Sequence, residues 1–260
     1  MTPRRVARRP LSWRIASRVE RPEGVILALV LAGVAVGGWY GSNFWLAVAI
    51  AGELVLGGLG AVWIIGPATA RLGFARYATL AVSGVAVTIF GRLTAESLGL
   101  LLAPGAALAL WLVLWLELRA NRAGRSDLGL ELSMIGIVFA AAAGFLSLAG
   151  PSGWASGIGL TILVSTVPAL RTAEGRRRFG AEAVGQALLH LLALAQVAAA
   201  VALLAIPPVV GAALLALAFH AWAGAAEALD GEASGRAVAL EFGALAVLGM
   251  VVALLLHGSR

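Results

Sequence analysis

Few residues in the apolar stretches of this chain can carry a charge or a proton, and Glu53 is the most costly of them to place. It stands in "AGELVLGGLG", about two residues from the centre of the apolar run 44–66. In a bilayer-crossing helix that position lies about 3 Å from the midplane. An ionised carboxylate there costs at least about 2.5–3.5 kcal/mol. Gly57 and Gly60 follow at i+4 and i+7 and share its face, and small residues mark places where membrane helices approach closely. Glu53 is therefore expected to sit neutral against a neighbouring helix or a cavity, away from lipid. Its chemistry would be that of a proton or cation site. The alternative is a protonated acid that only hydrogen-bonds across a helix interface.

His190 and His220 form a second candidate set. His190 is six residues into the run 184–205, and His220 is six residues before the end of 208–226. A short "IPP" turn joins the two runs, so both histidines fall about 9 Å from the same membrane face. Equal depth on adjacent antiparallel helices is what a bis-histidine haem b site would need. It also suits neutral imidazoles in a proton path, or a hydrogen bond that holds the hairpin together. No residue set points to another metal site.

Glu131 and Glu241 each sit about one turn inside the membrane after an inner arginine, in "GLELSMIGIV" and "ALEFGALAVL". Both can extend toward water at the helix end, which is the less demanding reading. The two segments resemble a glutamate-bearing helix of small membrane subunits of respiratory complex I, membrane hydrogenases and multi-subunit antiporters. That resemblance implies proton transfer at Glu131 and Glu241. Glu117 beside Arg119, and Glu96 near Arg92, are expected to form interfacial ion pairs.

Several chemistries are excluded outright. The chain has no cysteine and no lysine, which removes thiolate metal centres, iron–sulfur clusters, Schiff-base cofactors and a Walker A phosphate loop. There is no H-E-x-x-H zinc pair. Aspartate occurs only at Asp127 and Asp230, so no aspartate-rich lipid-transferase motif is present either.

The elements that must position these residues follow from composition. Of 260 residues 61% are hydrophobic and only 12% charged, and the mean hydropathy is +0.96. Soluble domains are about half apolar and about a quarter charged. Repeated apolar runs of about 18–22 residues predict helices that cross a bilayer. Nine runs are read: 24–41, 44–66, 75–91, 98–118, 128–149, 154–170, 184–205, 208–226 and 237–257. With the N-terminus cytoplasmic, 17 of the 19 arginines fall in inner segments, as the positive-inside rule requires. The net charge of +6 is therefore topological, and nucleic acid is not an expected partner.

The expected fold class is all-α: a polytopic transmembrane helix bundle with an outside C-terminus. Residues 1–23 are read as a basic cytoplasmic tail or interfacial helix in place of a cleavable signal, and 24–258 as one transmembrane domain. No connection in the chain is long enough to be a soluble catalytic domain, so no stand-alone catalytic activity is expected. The expected function is movement of protons, ions or a small solute across the cell's inner (plasma) membrane. It would act alone or as the membrane subunit of a larger respiratory or antiporter-like complex, among lipid and other membrane subunits. No cofactor is expected in that reading. The rivals are a haem b electron-transfer subunit using His190 and His220, and a structural or assembly subunit without activity of its own.

Overall fold

In hydrocarbon a backbone must satisfy its own hydrogen bonds, and a helix does so within one segment. All regular structure among the described residues is helical. The computed structural model describes residues 22–66, 73–123, 128–150, 153–231 and 234–258; the basic segment expected as a tail or interfacial helix lies almost wholly outside them. The α-helices are α1 (Pro22–Tyr40), α2 (Asn43–Ile65), α3 (Ala75–Leu98), α4 (Leu102–Ala123) and α5 (Leu128–Ala149). They continue with α6 (Trp154–Gly175), α7 (Ala181–Leu203), α8 (Pro208–Asp230) and α9 (Gly235–Gly258).

The helix ends follow local chemistry. Gly66 takes φ 79° after α2 and Gly99 takes φ 58° after α3, a left-handed backbone that glycine adopts without a Cβ penalty. Pro208 opens α8, where its missing N–H costs no hydrogen bond. Several helices run further than their apolar runs. Helix α3 continues to Leu98, α4 to Ala123 and α6 to Gly175, because backbone hydrogen bonding carries on into polar residues that find partners of their own. Pro168 lies inside α6 without ending it.

Among the described residues, seven helical stretches are long and apolar enough to cross a membrane. One of them is the 49-residue stretch Ala75–Ala123, which the 3-10 turn Gly99–Leu101 divides into α3 and α4. The surface agrees with a lipid setting: Leu59 is 66% and Leu163 67% exposed, and large apolar side chains face outward along most of the helices. An apolar surface this continuous is not that of a water-soluble monomer.

Helix α3 is the hub. It packs against α1, α2, α4, α5 and α6. One core joins it to α1, α2 and α4 through Leu31, Ile64, Leu80 and Leu110. The other joins it to α4–α8 through Ile89, Met134, Leu194 and Phe219. Helix α9 packs chiefly on α8. On α2 the buried stripe is Ala49, Glu53, Gly57, Ala61 and Ile64. Glu53 is the one charged type in a row of mostly small residues, and that row is what lets α2 close onto α3.

Candidate functional site

Glu53 is wholly buried, at 0% exposure. Its carboxyl lies on the backbone of α3: a Cβ built on Gly84 would stand 2.0 Å from Oε2. One turn along, Thr88 donates its hydroxyl to Oε1 at 3.5 Å, long for an O–H···O bond. Oε2 is buried with no hydrogen-bond partner among the described residues. The two glycines that share the face of Glu53 do what small residues do at a helix contact. Gly57 meets Ala81 of α3, and Gly60 meets Leu27 of α1.

Farther along the same side of α3, Trp39 of α1 lies over Gly91, and its buried Nε1 has no hydrogen-bond partner among the described residues. Arg92 does not pair with Glu96 as expected. Its Nη1 donates to the carbonyls of Gly38 and Gly41, both at 2.8 Å, and its Nη2 to Asn43 Oδ1 at 3.2 Å. It thereby clasps the α1–α2 turn, where the carbonyls at the end of α1 lack intrahelical donors.

The opposite end of the bundle holds a tighter polar network. Glu117 of α4 is bound in a fork by Arg171 of α6, with Nε to Oε1 at 2.9 Å and Nη2 to Oε2 at 2.9 Å. The expected neighbour, Arg119, has its guanidinium over the Trp115 ring instead. Arg76 donates to Asn121 Oδ1 and to the Tyr77 hydroxyl, and Tyr77 donates to the Gly66 carbonyl. Glu174 of α6 accepts the backbone N–H of Ala75 at 3.1 Å and lies against Gly73. A carboxylate at the start of α3 also suits the positive end of that helix dipole.

Beside this network a cavity of about 220 Å³ opens between α5, α6 and α8. Glu131, Arg171, Thr172, Arg176, His220 and Glu227 line it. Arg176 donates to the Ala223 carbonyl at 2.9 Å. Its burial lowers its pKa, while Asp230, Glu227 and Glu131 act in the opposite direction. Just outside, Arg178 pairs with Glu182 and with Asp230.

The structure does not join the two histidines in one site. His190 is buried, its ring stacked on Phe219 at 4.2 Å between centroids and its Nε2 3.0 Å from the Phe219 carbonyl. His220 is exposed and lines the cavity toward α5 and α6. A bis-histidine haem needs both coordinating nitrogens to face one flat space, and this arrangement does not fit that need. Among the described residues no group of three or more His, Cys, Asp or Glu could hold a metal ion. Glu131 reaches the cavity from α5, whereas Glu241 is exposed on α9 and does not line it.

Position along the chain marks Glu53 as a buried carboxyl but does not mark its partners Thr88 and Gly84. Their only signal is the small and hydroxylic spacing of "SGVAVT" within an otherwise aliphatic run. In the sequence Arg171 reads only as a loop charge that bears on topology. Compared with protein-family models, with curated proteins and with solved structures, the chain matches none. What fold and surface define is a class: this is a multi-pass, all-helical membrane protein.

Proposed function

We propose that this protein moves protons, ions or a small solute across the cell's inner (plasma) membrane, alone or as the membrane subunit of a larger complex, with Glu53 as the working group. The observation that carries this reading is the state of that carboxyl. It is completely buried, and among the described residues one oxygen has no partner and the other is held only by a long bond from Thr88. Buried polar groups kept for structure are normally satisfied, as Glu117 is in this same protein. An under-satisfied acid in the membrane interior is costly, and that cost is a mark of function. Glu131 and His220, on the cavity at the other end, would offer a water-accessible station; His190 and Glu241 have no comparable setting.

Glu53→Gln keeps shape and most hydrogen bonding but cannot titrate, and Glu53→Asp titrates with a shorter reach. The glutamine variant is expected to insert and fold normally yet lose pH-dependent transport in proteoliposomes, while the aspartate variant keeps part of it. Full transport by Glu53→Gln would reduce Glu53 to a packing residue.

The proposed orientation places the N-terminus and the segment 171–180 at the cytoplasmic side, residue 260 outside, and nine spans between them. Single cysteines placed in this cysteine-free chain report it directly. A cysteine at 175 should react only from the cytoplasmic side, and one at 260 only from the outside. The reverse pattern would overturn the orientation.

A further inference from the structure

We infer that Glu53 binds a proton and not a metal cation, an inference that rests on the reading of Glu53 as the transport site and narrows its cargo. Among the described residues three side-chain oxygens meet there: the two of Glu53 and the hydroxyl of Thr88. Calcium takes about six to eight oxygens at about 2.3–2.6 Å, and magnesium demands a near-ideal octahedron. Alkali cations likewise need a shell of several oxygens in place of their water. The backbone cannot supply it, because the carbonyls of α2 and α3 at this level serve their own helices. Nor can the other buried hydroxyls of α3. Thr79 donates to the Ala75 carbonyl at 3.0 Å and Ser83 to the Thr79 carbonyl at 2.7 Å, each turned back onto its own helix.

Hydration cannot make up the difference. Oε2 lies where a Cβ on Gly84 would come within 2.0 Å, and one turn away a Cβ on Gly57 would come 2.7 Å from the Cα of Ala81. The helices are in direct contact around the carboxyl, and a hydrated ion does not fit between them. A proton needs no shell. It converts the carboxylate to a neutral acid, which removes the charge from hydrocarbon and lets the same group donate a hydrogen bond.

Nothing nearby competes for this role. Helix α1 carries Glu23 and Tyr40 near its two ends and no titratable group between them. Helix α3 carries Arg76 and Tyr77 at one end and Arg92 and Glu96 toward the other. The two arginines and the tyrosine are engaged with Asn121, with Gly66, and with the α1–α2 turn. On α2 itself Glu53 is the only charged residue.

Dicyclohexylcarbodiimide, an apolar reagent that condenses with protonated carboxyls, reads this site without a transport assay. The native protein in proteoliposomes is treated, and modification of Glu53 is followed by mass spectrometry, with Glu53→Gln to assign the adduct. The rate is expected to fall at least about tenfold between about pH 6 and pH 9. At fixed pH and ionic strength, saturating sodium, potassium, calcium or magnesium should leave it unchanged. Protection by any of these cations overturns the inference. So does a rate of modification that is flat with pH, since the proton occupancy of such a carboxyl does not change over that range. The transport reading fails separately. If modification titrates as expected but Glu53→Gln transports normally, Glu53 binds a proton that transport does not use.

Discussion

Glu117→Ala should destabilise the protein by about 3–5 kcal/mol, toward the lower end of that range. The pair it breaks is nearly dry: the side chain of Glu117 is 2% exposed and that of Arg171 10%. Removing one partner strands the other charge in a low-dielectric interior, and that stranded charge, more than the lost contact, is the cost. Glu174 acts on the same guanidinium and offsets part of it. Arg171→Met should cost as much or more, because it leaves Glu117 with no hydrogen-bond donor among the described residues. The double variant Glu117→Met with Arg171→Met should lose far less than the sum of the two singles, since no charge is then left buried. Reversible unfolding in mixed micelles measures all of these. A loss below about 1 kcal/mol for Glu117→Ala would mean that the pair behaves as a solvent-screened surface contact.

Gly57→Ala should cost about 1–3 kcal/mol, while Gly58→Ala, one residue away, should be neutral or stabilise by up to about 1 kcal/mol. At Gly57 the new methyl would stand 2.7 Å from the Cα and 3.0 Å from the N of Ala81. Those are backbone atoms, so α2 and α3 must move apart along the contact that also holds Glu53. At Gly58 nothing lies within 4 Å, and only the helix propensity changes. The two substitutions are chemically identical and differ only in what they face. Equal effects in the same unfolding assay would show that α2 and α3 do not touch at this level. The separation forced by Gly57→Ala should also speed carbodiimide access to Glu53.

The helices were legible because their cause is local. A run such as 44–66 is apolar but for Glu53, and α2 occupies Asn43–Ile65. Run 128–149 became α5 over the same residues. The ends were less legible wherever a helix continued into charged residues. Helix α6 passes its expected end at 170 to reach Gly175, because Arg171 and Glu174 find partners on α4 and α3. Hydropathy registers those two residues as a cost and cannot see what compensates it.

The same division holds for the site. Chain position alone determined that Glu53 sits near the middle of an apolar helix on a face with Gly57 and Gly60, because helical periodicity and the apolar length around it are properties of one segment. Equal depth also brought His190 and His220 to notice, but depth is one coordinate and facing is another. Only tertiary packing turned His190 onto Phe219 and His220 into the cavity shared with Glu131. Only tertiary packing chose Thr88 for Glu53, and Arg171, 54 residues away, for Glu117. Such choices depend on how each helix is rotated about its axis and which neighbour it meets. Van der Waals contact sets these through small residues such as Gly57 and Gly84, and a nearly uniform aliphatic sequence carries little record of them.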